Sequence, residues 1–398
     1  MKHIIVIGDN SSTNLGDPIL TQSTKYIIDK LVEKQDCEVS IFDIAGRVFQ
    51  RTDASLKISP LNISKRYSRR EIRFTNMLAD FKSIVGWYIR EKTDFVNRLE
   101  RITPAHSNKD HVTFVIAGGA LISSSLFYAF RINTIVKLAK RYKNSRIVFN
   151  GVGIEKSIHN SGLAKFIVRH YLQQPQVVAF STRDHIEDVP FITSRNDFRV
   201  QLPDPGLFAS EAFGIAKKES ELIGLSVISY QAYQSIMLND LRAQEFTPND
   251  LLSFWVTILK GLISNGKRFK ILTNGGLKDY EMALRLCEHM NLAVDDYLLP
   301  LANEPKMLIQ QLSQFKLIIA HRLHALIVST SLLIPTIPVI WSDKVRAFAD
   351  MIHNNNCGWP SQQFAKDIIE YLLDSDYEYL NRIDSLKQNV VLFLKNNI

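Results

Sequence analysis

The sequence predicts an α/β fold with two doubly wound domains, and three observations carry that prediction. Short β-branched runs alternate with amphipathic runs of helical spacing along the 398-residue chain. The apolar runs are nearly continuous, which is typical of parallel strands that are covered on both faces. The alternation also restarts after a turn-rich stretch near the middle of the chain. We therefore expect two parallel sheets, each with helices on both faces.

The predicted strands follow one another in an even rhythm. In the first half they cover 3–8, 38–44, 112–118, 146–152 and 177–182, and in the second half 222–228, 269–274, 316–321 and 336–341. Helical spacing between strands is clearest at 18–34 and 249–263, and the stretch from about 361 to 398 predicts two further helices.

The domain boundary is predicted near 205–220, where two prolines and two glycines precede a charged run. This gives an N-terminal domain over 1–210 and a C-terminal domain over 218–398. The final helix is a candidate to pack back on the first domain. Residues from about 61 to 108 interrupt the rhythm and predict a basic helical insertion.

Composition excludes several classes of protein. No run approaches the roughly 18 to 20 uncharged apolar residues that span a bilayer. The first apolar run is short and ends in a turn, so it predicts a strand rather than a secretion signal. Cys37, Cys287 and Cys357 are far apart and odd in number, which favours free thiols. We expect a cytoplasmic protein.

The net charge of +8 is concentrated in one region. Between Arg47 and Lys109 the chain carries 14 Lys and Arg against 6 Asp and Glu. No nucleic-acid-binding motif accompanies this excess, so a nucleic-acid partner is not predicted. The region suits an anionic membrane face or a lipid-linked acceptor, with an ordinary solvated helix face as the alternative.

Polar residues gather after the predicted strands of the first domain. Ligands of open parallel sheets bind outside the carboxyl ends of the strands, so these positions are candidates for a site. After the first strand, Asn14 and Asp17 lie in a polar loop, and Asp17 is also well placed to cap a helix that starts at Pro18. Gly118 and Gly119 follow the third strand and allow close backbone approach.

The later strand ends of this half carry charge. Arg183 follows the fifth strand, and its structural alternative is an ion pair with Asp184 or another local acid. Asp204 lies in the turn "DPG" near the domain boundary.

The strongest anomaly is "LIIAHRLHALIVSTSLLIPTIPVI" at 317–340. His321, Arg322 and His324 lie inside this apolar run, within four positions of one another. An unpaired buried charge costs several kcal/mol or more, so these groups need partners or a ligand. A lone histidine here would favour a satisfied core residue, but two histidines and an arginine together favour a site in a cleft between the domains.

Lys344 follows the last strand and adds a cation to these groups. A cationic site of this kind suits phosphate and carboxylate groups, with acid–base chemistry by histidine. No metal-binding or serine-hydrolase motif was found, so neither a metal nor a cofactor is predicted.

Taken in order, these motifs resemble those of the polysaccharide pyruvyl transferase family. The resemblance spans residues 4 to 350 and rests on "NLGD" at 14–17, "AGGALI" at 117–122, "GVGI" at 151–154, "STRD" at 181–184, "DPG" at 204–206, "IGLSV" at 223–227, "HRLHALI" at 321–327 and "IPVIWSDKV" at 337–345. Pro18 departs from the family pattern, and the basic insertion has no counterpart in it.

The resemblance implies two Rossmann-like domains that face a cleft, as in GT-B glycosyltransferases. It also implies transfer of the pyruvyl group of phosphoenolpyruvate to a sugar of a polysaccharide or its lipid-linked precursor, as a ketal, with release of phosphate. By this resemblance His324 and Arg183 are catalytic, and Arg322, Lys344 and His321 bind the donor. The residues expected to line the acceptor side of the cleft are Asn14, Asp17, Gly118, Gly119 and Asp204.

Two alternatives remain at this stage. A GT-B glycosyltransferase that uses a nucleotide sugar would also need a cationic cleft. A non-catalytic protein of a polysaccharide-assembly complex could keep an inherited one.

Overall fold

The structure is a computed structural model of the chain. It describes residues 2–12, 14–45, 82, 84–103, 111–237, 246–374 and 377–398. Most of the predicted basic insertion at 61–108 lies outside the described residues.

The first sheet is parallel and has the strand order β2-β1-β3-β4-β5. Its strands are β1 (Lys2–Gly8), β2 (Cys37–Asp43), β3 (His111–Ala117), β4 (Arg146–Val152) and β5 (Val177–Thr182). The central strands are buried almost throughout, because their unbroken apolar runs are covered on both faces.

The second sheet is also parallel, with the order β7-β6-β8-β9. Its short strands are β6 (Ile223–Ser226), β7 (Phe269–Leu272), β8 (Leu317–Ala320) and β9 (Thr336–Pro338). In both sheets the strand order changes direction beside the first strand, the arrangement that opens a crevice at the carboxyl edge of a doubly wound sheet.

Helices connect the strands. In the first half they are α1 (Gly16–Val32), α2 (Lys92–Ile102), α3 (Leu126–Ala139), α4 (Gly162–Leu172) and α5 (Val189–Ile192). In the second half they are α6 (Ala209–Phe213), α7 (Tyr230–Met237), α8 (Pro248–Ser264), α9 (Leu277–His289), α10 (Val294–Tyr297), α11 (Pro305–Leu312), α12 (Leu323–Ser331), α13 (Asp343–Ile352), α14 (Gln362–Asp374) and α15 (Ile383–Asn397).

Local sequence explains the start of the long helix α8. Thr247 accepts a hydrogen bond from the Asp250 backbone N–H, and the Asp250 carboxylate accepts one from the Thr247 backbone. Pro248 occupies the first helical position, where its missing N–H costs nothing.

The chain forms two compact units. One comprises Met1–Ser11, Ile28–Leu202 and Phe393–Ile398, and the other comprises Ser12–Ile27 and Pro203–Leu392. The loop after β1 and most of α1 therefore group with the second half of the chain. Each unit has its own apolar core, and Leu15 and Ile19 of the early segment belong to the core of the second.

The predicted strands all form, with boundaries within a few residues of those expected. The strands at 146–152 and 177–182 match the predicted ranges. One local expectation is wrong: α1 begins at Gly16, so Asp17 lies inside the first turn instead of capping the helix. Domain ranges of 1–210 and 218–398 stay a prediction. In the part of the chain described, no helix is long and apolar enough to cross a membrane.

Candidate active site

The carboxyl edge of the second sheet is polar and buried. The atoms here that make no hydrogen bond with the described residues are Ser226 Oγ at the end of β6, the Thr273 hydroxyl and both Asn274 amide atoms after β7, and both His321 ring nitrogens after β8. Buried polar atoms nearly always have partners in folded proteins. Three adjacent strands thus end in groups that need water or a ligand, which marks this edge as a candidate site.

Arg322 is the principal cation of this edge. It is the N-cap residue of α12, and its Nε and Nη2 lie 2.7 and 2.6 Å from Oδ2 of Asp279. The Arg322 side chain keeps 27% of its area exposed, whereas that of Asp279 keeps 2%. The arginine is therefore held by a buried carboxylate and stays partly exposed.

His324 is the second residue of α12 and is buried beside the loop that follows β1. A Cβ built on Gly16 would lie 1.9 Å from His324 Nδ1 and 2.0 Å from Cγ. The imidazole therefore packs directly on the Gly16 backbone, and no other residue type leaves room for it. Two motifs that are far apart in sequence, "NLGD" and "HRLHA", meet at this contact.

The polar side chains of the same loop form a short network at His324. Asn14 Nδ2 lies 3.5 Å from His324 Nδ1 and 3.3 Å from Asp17 Oδ2, which also accepts a hydrogen bond from the Ser12 hydroxyl at 2.8 Å. The donor and acceptor in the contact between Asn14 and His324 depend on the tautomer of the imidazole: Nε2 carries the proton of the neutral ring when Nδ1 accepts from Asn14. Asn14 and Asp17, predicted for the acceptor side, thus lie against the candidate catalytic histidine.

His321 lies in a different environment from His324. Its relative exposure is 0%, and its ring centroid is 5.1–5.8 Å from the rings of Tyr233, Phe254 and Trp255. Burial holds the pKa of His321 well below its usual value, and the charge of Arg322 lowers it further. The ring is therefore neutral at pH 7. Its predicted donor contact stays a prediction, and this placement favours the alternative of a core histidine.

Two other predicted residues of the second unit have local roles. Asp204 is 2% exposed, and its Oδ1 accepts a hydrogen bond from the Gly206 backbone at 2.8 Å, which fixes the turn before a short 3₁₀ helix at Pro205–Phe208. Lys344 is the second residue of α13, the helix that follows β9, and its predicted contact with the donor stays a prediction.

In the first unit, the predicted glycines join the ends of β3 and β4. Gly118 and Gly119 both have positive φ, 44° and 73°, which favours glycine. The Gly118 N–H donates to Asn150 O at 3.0 Å, and Gly119 O accepts from the Gly153 N–H at 2.7 Å. Backbone hydrogen bonds therefore join the turns that follow β3 and β4.

Arg183 follows β5 and has a side chain that is 6% exposed. Its Nε lies 3.6 Å from Asp184 Oδ2, so the local ion pair considered from the sequence is present. A Cβ on Gly153 would approach Arg183 Nε to 3.2 Å, so the guanidinium lies close to that glycine. Its catalytic role stays a prediction.

One group among the described residues has donor atoms close enough to hold a metal ion. It consists of His185, Glu187 and Asp188, whose donor atoms lie within 4.8 Å of one another. These side chains already have partners, since His185 Nδ1 is 3.1 Å from Glu187 Oε1 and His159 Nε2 is 3.0 Å from Asp188 Oδ1. The prediction that the reaction needs no metal stays a prediction.

Asp279 and Ser12 escaped the sequence reasoning. Asp279 is in the first turn of the helix that follows β7, where an acidic residue is ordinary. Its pairing with a residue 43 positions away leaves no signal in a single sequence. Gly16 stood out in the sequence, but without an assigned partner.

Comparison with protein-family profiles identifies the family of this chain. The profile described as polysaccharide pyruvyl transferase matches residues 14–343, from the loop beside His324 to the start of α13. The chain belongs to the polysaccharide pyruvyl transferase family. It is accordingly a transferase, and membership of the family implies a glycan acceptor.

Solved structures with the same fold include two epimerases of the GT-B type. The putative UDP-N-acetylglucosamine 2-epimerase from Listeria monocytogenes superposes with a TM-score of 0.51 at 9% identity, covering 96% of this chain and 90% of that one. The UDP-GlcNAc 2-epimerase from Neisseria meningitidis bound to UDP-GlcNAc gives 0.50 at 10% identity, with both chains fully covered. These likenesses establish the GT-B-like fold class. No curated protein sequence matches the chain significantly.

Proposed function

We propose that this family member transfers the pyruvyl group of phosphoenolpyruvate to two hydroxyl groups of a sugar, in a polysaccharide or its lipid-linked precursor. The products are a cyclic pyruvate ketal and inorganic phosphate. The observation that carries the proposal is the start of α12, where a partly exposed arginine and a histidine that packs on the Gly16 backbone lie two residues apart.

The donor anions are bound by groups at helix starts. Phosphoenolpyruvate carries a carboxylate and a phosphate on one carbon, and a guanidinium can bind either through paired N–H donors. The N-terminus of α12 adds backbone donors and a favourable dipole beside Arg322. Lys344, in the first turn of α13, neutralises charge that develops on the departing phosphate.

His324 acts as the general acid through Nε2. It gives its proton to the methylene carbon of phosphoenolpyruvate, which becomes the methyl group and leaves an oxocarbenium carbon. The first sugar hydroxyl adds to that carbon, phosphate leaves with its bridging oxygen, and the second hydroxyl closes the ketal. The proton of one hydroxyl returns to His324 and that of the other leaves with phosphate, so atoms and charge balance.

His324→Asn tests this proposal. Loss of the acid is expected to lower turnover by roughly 10²- to 10⁴-fold, while phosphoenolpyruvate still binds because Arg322 remains. Calorimetry measures the binding, and phosphate release in the presence of bacterial polysaccharide fractions measures the turnover. In deuterium oxide, the methyl group of the ketal should gain deuterium. Ketal formation at the wild-type rate by the variant would remove His324 from the chemistry.

The same calorimetry separates the nucleotide-sugar alternative. Wild-type protein that binds UDP-GlcNAc or a GDP-sugar, and fails to bind phosphoenolpyruvate, would replace the donor proposed here. Binding of neither ligand, with no phosphate release, would favour a non-catalytic role in polysaccharide assembly. No cofactor beyond the donor substrate takes part in the proposed reaction.

We also propose peripheral contact with the anionic inner face of a membrane. On the turn before α2, Tyr88 is 54% and Ile89 76% exposed, and Arg90 and Lys92 lie beside them. Exposed apolar and basic side chains together suit the interface of an anionic bilayer. Ile89→Asp should reduce sedimentation with vesicles that contain phosphatidylglycerol, whereas Phe166→Asp, which changes an exposed residue of α4, should not. Equal sedimentation of both variants and wild type would refute the contact.

A further inference from the structure

We propose that Asp279 is a positioning residue for donor binding: it determines which edge of the Arg322 guanidinium faces the donor. This inference rests on the function proposed above and adds a residue to it. Asp279 touches neither of the reacting partners in this proposal, so its effect is transmitted through the arginine.

The contacts between the two side chains are direct and directional. Asp279 Oδ2 lies 2.7 Å from Nε and 2.6 Å from Nη2 of Arg322. Both contacts are made by the edge of the guanidinium that Nε and Nη2 form, which is the edge nearest the aliphatic part of the side chain. The carboxylate therefore occupies the side-on edge of the arginine.

The unused edge is the one that suits an anion. A guanidinium carries five N–H donors, and this pairing engages one on Nε and one on Nη2. The remaining donors, two on Nη1 and one on Nη2, make no hydrogen bond with the described residues. Those on the outer edge point in parallel, which is the geometry for bidentate binding of a carboxylate or phosphate. Without Asp279, rotation about the side chain could present either edge.

Asp279 is itself fixed by the fold. Its other oxygen, Oδ1, accepts a hydrogen bond from the backbone N–H of Ser229 at 2.8 Å, and the residue is 1% exposed. Ser229 follows β6, Asp279 begins the helix after β7, and Arg322 follows β8. One carboxylate therefore ties together the ends of three adjacent strands and sets the arginine against them.

Stability alone is a poor reason for this pair. An apolar pair of similar size often stabilises a fold as well as a buried ion pair does, because desolvation offsets the attraction. Here only the acid is buried, while the arginine keeps an open edge. That asymmetry fits a support for a working cation better than a core contact.

The experiment is a double-mutant cycle with Asp279→Asn, Arg322→Gln and the combination. The asparagine keeps the size of the side chain but cannot serve both partners, because one of its two terminal atoms is a donor. We expect kcat/KM for phosphoenolpyruvate to fall by about 10- to 100-fold in Asp279→Asn, by analogy with the loss of groups that orient metal-binding side chains. The loss should be mostly in KM, and it should nearly vanish in the Arg322→Gln background.

Glu221→Gln is the matched control. Glu221 pairs with Lys316 at 2.6 Å in the same unit, but on the surface, so its loss should leave kcat and KM unchanged. Thermal unfolding of each variant shows whether a loss of activity reflects loss of the fold. An Asp279→Asn effect that stays the same size without Arg322 would overturn the inference.

A second measurement keeps the inference separable from the proposed function. NMR relaxation of the Arg322 Nε–H group reports side-chain mobility without any ligand. We expect a rigid signal in the wild type and a mobile one in Asp279→Asn. If the wild type fails to bind phosphoenolpyruvate, the donor assignment falls while this result still decides the role of Asp279. An equally rigid Arg322 in both proteins would overturn the inference whatever the donor is.

Discussion

The carboxyl edges of the two sheets differ in the groups that join their loops. Loops at the edge of the first sheet close on each other through backbone bonds at Gly118 and Gly119, and its arginine, Arg183, is nearly buried beside Asp184. At the second edge the groups singled out are side chains: Arg322, which pairs with buried Asp279 and stays 27% exposed, and His324, which packs on the Gly16 backbone. The difference shows that two sheets of the same class can end differently, with backbone bonds between loops in one and positioned side chains in the other.

Among the substitutions that test this difference, Gly16→Ala should cause the largest loss of turnover. The added methyl group would lie 1.9 Å from His324 Nδ1, so the imidazole must leave its place. We expect turnover to fall toward the level of His324→Asn, by about 100-fold or more, since general acid catalysis needs the proton within hydrogen-bond reach. Steady-state kinetics measures this.

Gly162→Ala is the control for that substitution. A Cβ at Gly162, the first residue of α4, would meet nothing within 4 Å, so activity and stability should stay close to wild type. Wild-type turnover in Gly16→Ala would show that the position of His324 does not matter for the reaction.

Arg183→Lys tests whether the first edge also takes part in the chemistry. Lysine keeps the charge but lacks the planar guanidinium with its paired N–H donors. If the Arg183 guanidinium binds the donor, kcat/KM should therefore fall by about 10-fold in this variant. Arg195→Lys, which alters an exposed pair with Asp197 in the same unit, should change nothing. Equal activity of both variants and wild type would confine the chemistry to the second edge.

The smallest expected effect concerns stability at the second edge. The folded pKa of His321 is depressed below its usual value near 6.5 because the ring is buried, so only the unfolded chain takes up a proton there as the pH falls below 6.5. Stability from the neutral ring is therefore present above pH 6.5 and is lost on the acid side. The slope can reach about 1.4 kcal/mol per pH unit.

His321→Leu should remove this slope. Thermal unfolding at pH 7.5 and pH 5.5 should show a smaller acid-side loss for the variant than for the wild type. His170→Leu provides a comparison at a histidine that is exposed on α4. Parallel pH profiles for wild type and His321→Leu would mean that this ring does not govern the acid sensitivity.

Sequence reasoning reached the strands and the strand ends, because apolar runs and polar loops are local signals. Arg322 and His324 could be singled out since they interrupt such a run. Their pairings could not be predicted: Asn14 was a candidate for the acceptor side, but no local signal joins it to His324, and Asp279 lies in a first helical turn, where an acidic residue is ordinary. The environment of His321 was also beyond reach, because a strand end gives no sign of which rings of other helices surround it.

The grouping of Ser12–Ile27 with the second half of the chain bears on how this family can be recombined. A chimera cut only at residue 203 would inherit His324 from one parent and Gly16, on which His324 packs, from the other. Exchanges that take both 12–27 and 203–392 from a single parent would keep Gly16 and His324 from the same protein. The rest of the chain could then be exchanged between relatives without changing the packing of His324 on Gly16.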